Sequence, residues 1–250
     1  MFTKDLAVVI LAAGKGKRMN NPDMPKVMAL LNGKPLVEYV ISQVKELNPL
    51  KIILVVGHHK EMIIDYFNNS DNSLEYALQL EQLGTGHAVA QAESALKDFS
   101  GNVLILAGDA PLIQASTLMN FIAKHFEDKA IASDLTAIAN DPTGYGRIVR
   151  NNLGDFIKIV EQKDASDEEK LIKEINSGIF CVDSKELFPA LAGLKNNNAQ
   201  GEYYLTDIID YFIQNNKKVI GVSGADFDEL QGINTIDELK KVEDFLNSKK

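Results

Sequence analysis

Leu6-Ala-Val-Val-Ile-Leu-Ala-Ala-Gly-Lys-Gly-Lys-Arg-Met19, followed after a short polar stretch by Pro25-Lys26, opens with six consecutive apolar residues and then turns to glycine and basic side chains. A continuous apolar run of that length fits a strand buried on both faces of a parallel sheet. Gly14 and Gly16 let the backbone approach a ligand and offer N–H donors with no Cβ in the way. Lys15, Lys17, Arg18 and Lys26 gather cations on the same loop. The combination points to phosphate. The plainer reading is a solvated basic turn between a strand and a helix, because a lone Gly-x-Gly is a weak match.

Two familiar phosphate loops are excluded by residues. No Gly-x-x-x-x-Gly-Lys-Ser/Thr run occurs. A dinucleotide fingerprint needs a third small residue where this chain has Met19, and an acid closing a second strand where Glu38 lies on an apparent helix. What remains is a basic, glycine-bearing loop with a lysine fixed behind a proline, which suits a nucleoside triphosphate whose charge is neutralised during phosphoryl chemistry.

The chain has 250 residues, 45% of them hydrophobic and 24% charged, an ordinary globular composition with length for a sizeable core. Its formal net charge of -9 argues against a nucleic-acid surface, so the local basic cluster marks a site for a small anion. The single cysteine, Cys181, lies in the apolar run Gly178 to Val182 and reads as core in a reducing compartment. No secretory leader pattern and no run approaching a membrane span is present, so a cytoplasmic protein without membrane or nucleic-acid partners is expected.

Strand and helix alternate through the first half. Leu36, Val40, Val44 and Leu47 fall at helical spacing, Lys51 to Val56 reads as a strand, and Lys60 to Phe67 as a short helix. Leu74 to Leu78 is a third strand, and Thr85 is placed to cap a helix running to Lys97. Val103 to Ala107 then leads into Gly108-Asp109-Ala-Pro-Leu112, before a helix with Leu118, Phe121 and Ile122 on one face. The fold class is therefore α/β, a doubly wound sheet of mainly parallel strands. Ligands on such sheets bind beyond the carboxyl ends of the strands, where the basic loop, the Gly84-Thr85 turn and Asp109 all fall.

From residue 140 the pattern changes. Ile148 to Arg150 and Phe156 to Val160 flank an Asn-Asn-Leu-Gly turn and predict a hairpin, with a charged helix expected near Asp167 to Lys173. Residues 1–139 are taken as a nucleotide-binding lobe, 140–228 as a smaller second lobe, and 229–250 as a loop and helix, together one domain. Leu205, Ile208, Ile209 and Phe212 give one helix an apolar side, and Thr235-Ile-Asp-Glu238 reads as a capping box opening the last helix.

Asp109 at a strand end could be a turn cap or a Mg²⁺ ligand beside a triphosphate, and Asn234 a turn residue or the second protein oxygen. His58, His59, His87 and His125 show no metal-ligand spacing and read as structural or solvated. No nucleophile elbow is present. None is needed where the attacking group is an ionised phosphate oxygen.

Taken in order, seven blocks resemble one family: Leu-Ala-Ala-Gly-Lys-Gly-x-Arg-Met, Pro-Lys-Val, Glu-Gln-Leu-Gly-Thr-Gly-His-Ala, Gly-Asp-x-Pro-Leu, Asp-Pro-Thr-Gly-Tyr-Gly-Arg-Ile, Glu-x-Lys-Asp-Ala and Asn-Asn-Asn-Ala-Gln-Gly-Glu-Tyr-Tyr-Leu-Thr-Asp. They are similar to the uridylyltransferase (pyrophosphorylase) half of the bacterial bifunctional N-acetylglucosamine-1-phosphate uridylyltransferase/glucosamine-1-phosphate acetyltransferase family. The resemblance implies a Rossmann-like nucleotide-diphospho-sugar transferase fold with a sugar-binding lobe. It implies Mg²⁺, UTP and N-acetylglucosamine 1-phosphate, giving UDP-N-acetylglucosamine, a peptidoglycan precursor, and pyrophosphate. By the same resemblance Leu11, Ala12, Ala13, Gly14 and Gly108 meet the nucleotide, Arg18 and Lys26 are catalytic cations on its phosphates, and Gln79, Gly84 and Thr85 read the uracil. Asp109 and Asn234 hold the metal, and Gly146, Glu161, Asn176, Tyr204 and Thr206 surround the sugar. Lys17 stands where the family usually has threonine, and Ala107 where some relatives carry tyrosine. The β-helix acetyltransferase domain has no counterpart in this sequence, so acetyl transfer is not expected of it. Two alternatives stay open: a same-fold enzyme for N-acetylgalactosamine or glucose 1-phosphate, and a sugar-nucleotide-binding regulator without turnover.

Overall fold

The structure, a computed structural model, describes residues 5–14, 16, 19, 23–68, 71 and 73–248. Lys15, Lys17 and Arg18 of the basic loop lie outside the described residues. The apolar run forms β1 (Leu6–Leu11), buried on both faces and paired along both edges. After it, β2 (Leu30–Leu31) and β3 (Lys34–Pro35) make a small separate hairpin. Parallel β4 (Lys51–Val56) takes one edge of β1, with β5 (Leu74–Leu78) beyond it, and parallel β6 (Asn102–Ala107) takes the other. The remaining strands are β7 (Ala132–Ile138), β8 (Arg147–Arg150), β9 (Phe156–Val160), β10 (Glu174–Asp183) and β11 (Val219–Ser223). The order across the sheet is β11-β7-β10-β6-β1-β4-β5, and on that path β10 alone runs against the others. The predicted hairpin is β8–β9, attached to β10 through β8. The stretch 140–228 thus supplies this hairpin and also two strands within the main sheet.

Alternation along β1 splits the core between two faces. Leu6, Val8 and Ile10 pack with α1 (Leu36–Glu46), α2 (Lys60–Asn68) and α5 (Ala115–Asp128). Ala7 and Val9 pack with α3 (Thr85–Ala90), α4 (Glu93–Leu96), α6 (Ser184–Ala192) and α7 (Asp207–Gln214). After α8 (Phe227–Leu230), the last helix α9 (Ile236–Ser248) lays Leu239, Val242 and Leu246 on a third cluster with Met19, Leu31, Leu36 and Ile233. The chain turns from β5, on one side of β1, to β6 on the other. The loops after β1 and β6 therefore meet at the switch point of the sheet, where Gly108 N–H donates to the Leu11 carbonyl at 2.9 Å.

Three expectations need correction. Thr85 does not cap a long helix: Gly84 is the N-cap, the Thr85 hydroxyl accepts from Leu205 N–H at 3.0 Å, and the segment breaks into α3 and α4. The charged helix near Asp167 is only a 3-10 turn, Glu169–Leu171. Ser166 and Glu169 do form reciprocal capping bonds there, but the chain enters β10 before a second turn can form. β7 and β11 were not foreseen.

Asp134 on β7 is fully buried, and among the described residues neither of its carboxylate oxygens has a hydrogen-bond partner. It faces Phe180 just past an irregularity in β10 between Asn176 and Phe180. Burial first, then repulsion from Glu174 and Glu161, holds its carboxyl well above the usual carboxylate range. The folded chain therefore keeps a proton that the unfolded chain releases, and stability from this group falls as pH rises from the unfolded carboxylate range toward the folded pKa. Asp134→Asn is expected to raise the unfolding free energy at pH 8 by roughly 1–3 kcal/mol. The gain at pH 5 should be smaller. Urea unfolding at both pH values checks it, and an equal gain at both would show that no proton is taken up there.

Candidate active site

At the switch point the three groups expected to handle phosphate charge converge. Lys26 opens a 3-10 turn (Lys26–Met28) behind Pro25, and its ammonium donates to Asp109 Oδ2 and, at 3.0 Å, to Asn234 Oδ1. Gly16 has a left-handed φ of 58°, and a Cβ there would lie 2.7 Å from the Lys26 Cβ, so only glycine fits this close crossing. Asp109 is anchored by its backbone carbonyl, which accepts from Ile233 N–H at 2.9 Å. Asn234 is fixed twice: Glu238 Oε2 accepts its backbone N–H at 2.6 Å, and its own Nδ2 donates to the Gly232 carbonyl at 2.9 Å. That second bond turns Oδ1 toward Lys26. Half of the expected capping box is present, with Glu238 donating its backbone N–H to Thr235 Oγ1 at 3.2 Å, while the Glu238 carboxylate takes the N–H of Asn234 in place of that of Thr235.

One carboxylate oxygen and one amide oxygen share a single cation, so the pair fits a hard divalent ion that takes oxygen ligands and keeps its other positions for phosphate and water. Asp109 and Asn234 line a cavity of about 350 Å³ with Ala107, Tyr145, Ser177 and Gly232. Leu11 ends β1, with Ala12, Ala13 and Gly14 following it, and is bonded to Gly108, which lies between the cavity residues Ala107 and Asp109.

A second cavity of about 360 Å³ holds Glu161, Asp164, Tyr204 and Asp207. Thr206 donates its hydroxyl to Glu161 Oε1 at 3.1 Å, and Gln200 Nε2 donates to the Tyr204 hydroxyl at 2.8 Å. Burial raises the Glu161 pKa. Asp207 is pushed up to about 6, first by burial and then by the charges of Asp210, Glu161 and Asp164. Asn176 sits at the β10 irregularity, where its Oδ1 accepts from Gly178 N–H at 2.7 Å, and its backbone N–H donates to the Gly146 carbonyl at 3.0 Å. A bulge re-aims side chains, and here Ser177, within the irregular stretch, lines the first cavity.

The Gln79 and Gly84 pair is also assembled: Gln79 Nε2 donates to the Gly84 carbonyl at 3.1 Å. Gly84 has a φ of 115°, and a Cβ there would meet the Tyr203 carbonyl oxygen at 2.5 Å. Arg18 lies outside the described residues. Asp164, Asp207 and Tyr145 line the cavities without having been singled out, although Asp164, Asp207 and Tyr145 all stand inside quoted blocks. His125, read as structural, is buried between Ser133 Oγ and Asn102 Oδ1, and burial lowers its pKa to about 4. A larger groove, about 950 Å³, follows edge strand β11 and none of the expected site residues lines it. The expected site residues Asp109 and Asn234 line one of the two smaller cavities, and Glu161 and Tyr204 the other.

The nucleotidyl transferase family model matches residues 7–228. The chain is 49% identical over 235 residues to "Bifunctional protein GlmU" of Streptococcus mutans, covering 94% of this chain and 50% of that protein. It is 50% identical over 226 residues to the protein of the same name from Enterococcus faecalis, covering 90% of this chain and 48% of that one. The chain spans about half the length of the curated relatives it matches. Among solved structures, a UDP-glucose pyrophosphorylase complexed with UDP-glucose superposes with a TM-score of 0.80 at 18% identity, covering all of both chains. A putative glucose-1-phosphate thymidylyltransferase from Bacillus anthracis gives 0.74 at 19%, covering 96% of this chain and 94% of that one. At such identities these two speak for the fold alone. The family model, over most of the chain, shows that the chain belongs to the nucleotidyl transferase family.

Proposed function

We propose that the chain is a Mg²⁺-dependent uridylyltransferase that joins UTP and N-acetylglucosamine 1-phosphate into UDP-N-acetylglucosamine with release of pyrophosphate, a cytoplasmic reaction. The observation that carries this is the convergence of Lys26, Asp109 and Asn234 at the sheet's switch point, together with a second cavity lined by Tyr204 and by Glu161, which the Thr206 hydroxyl holds. The high identity to proteins named GlmU supports the choice of sugar and base.

An oxygen of the sugar's phosphate attacks the α-phosphorus of UTP. The new oxygen–phosphorus bond forms as the bond to the β-phosphate oxygen breaks, and pyrophosphate leaves. The attacking oxygen is already ionised, so the protein's task is alignment and charge stabilisation rather than proton removal. Lys26 and Arg18 offset the triphosphate's charge, and the backbone of Leu11 to Gly14 and Gly108 borders the nucleotide. Glu161, Asn176, Tyr204 and Thr206 orient the sugar. Asp109 and Asn234 would hold Mg²⁺, which when bound stabilises negative charge on the phosphate oxygens.

A panel of sugar 1-phosphates with UTP, with and without Mg²⁺, tests this through pyrophosphate release and product mass. UDP-N-acetylglucosamine formed only with Mg²⁺ is the expected result. Faster turnover of N-acetylgalactosamine or glucose 1-phosphate would move the assignment to another sugar. No pyrophosphate from any sugar would favour the binding regulator.

A further inference from the structure

Gln79 follows β5 and is only 3% exposed. Its backbone is pinned at both ends, N–H to the Val56 carbonyl at 2.8 Å and C=O to Gln82 Nε2 at 3.3 Å. The direction of its side-chain amide is fixed chemically. A backbone carbonyl only accepts, so the atom 3.1 Å from the Gly84 oxygen is the NH₂ nitrogen. The same nitrogen lies 3.0 Å from His87 Nδ1. One amide hydrogen goes to Gly84 and the other to the imidazole, and among the described residues Oε1 accepts no hydrogen bond.

His87 sits in α3 with its other ring nitrogen 3.2 Å from Gln91 Nε2, which also donates to the His87 carbonyl at 2.9 Å. A neutral imidazole has one lone pair to offer. Placing it on Nδ1, the closer contact, satisfies buried Gln79, while Gln91 keeps its bond to the carbonyl.

We propose that His87 is a positioning residue for base selection: by accepting from Gln79 Nε2 it presents Gln79 Oε1 to the base as a pure acceptor. This rests on the uridine-nucleotide reading above. Uracil carries an N–H at ring position 3, which an acceptor matches. Cytosine carries a lone pair there, which leaves the buried oxygen unpaired and opposed. Without the imidazole, one of the two acceptors that hold the amide this way is gone and only the Gly84 carbonyl still opposes its turning over, so the orientation that aims Nε2 at the base, and suits cytosine, is disfavoured less.

The experiment compares kcat/KM for UTP and CTP with one sugar phosphate in wild type, His87→Leu and His87→Asn. Asparagine places its Oδ1 on the same Cγ that bears Nδ1, so it restores an acceptor where leucine has none. The UTP/CTP ratio is expected to fall by roughly ten-fold in His87→Leu and to recover in His87→Asn, the scale of one hydrogen bond. A purely structural role would lower both substrates in parallel, and an unchanged ratio in His87→Leu overturns the proposal. His87→Ala reads the same ratio if the leucine variant does not fold. A wild type that uses UTP and CTP equally well would instead sink the uridine reading, so the two failures are distinguishable.

Discussion

Asp109→Asn is expected to lower turnover by about 10²-fold or more while leaving UTP binding measured without metal nearly unchanged. The substitution keeps the side chain's shape and one accepting oxygen, and it does not touch the backbone carbonyl that holds Ile233. What disappears is the formal negative charge that faces the Lys26 ammonium. Asn234 contributes only a neutral dipole, so the proposed ion loses most of its electrostatic hold, and Lys26 loses its charge partner at the same time. The loss falls on the transition state, where charge shifts from the α-phosphate toward the leaving pyrophosphate. A Mg²⁺ titration of initial rates discriminates: turnover close to wild type at limiting Mg²⁺ would remove Asp109 from the metal site. Arg18→Ala should give a loss of the same order, since it acts on the same phosphates.

The nucleotide half of this site was legible from the sequence because its parts are local. β1 is an unbroken apolar run, the basic loop follows at once, and Asp109 ends the next strand across the switch point. The metal pair was not legible by spacing. Asn234 reaches Asp109 only because α9 packs beside α1 and its Glu238 clamps the loop, so the family blocks had to supply the pairing. β7 escaped notice because Ser133, Asp134 and Thr136 break its apolar pattern, yet all three are buried, Ser133 against His125 and Thr136 against Glu174. β11 is five residues with glycine at its centre and lies at an edge, where burial imposes little pattern. His87 shows the converse. Its spacing to other histidines said nothing, because its partner is the amide of Gln79 rather than a metal.

Sugar choice should show the widest margin: kcat/KM for N-acetylglucosamine 1-phosphate is expected to exceed that for glucose 1-phosphate by up to about 10⁴-fold. Asn176 is 8% exposed and its orientation is set, because Gly178 N–H can only donate and therefore faces Oδ1. Its NH₂ group is left on the side of Gly146, with Nδ2 3.5 Å from where a Cβ on that glycine would stand. Glu161, held by the Thr206 hydroxyl, lines the second cavity and offers an acceptor. A donor and an acceptor of these kinds match the C=O and N–H of an acetamido group. Glucose offers a hydroxyl at that carbon, too short to reach both, and leaves a desolvated partner unpaired; that penalty exceeds the roughly 10-fold to 200-fold that a missing methylene produces. Measured under identical UTP and Mg²⁺, a ratio near one would mean that the cavity does not read the acetamido group. Ala107, a small residue in the wall of the first cavity, would then be the first position to enlarge, because extra room there lets the sugar shift away from Asn176.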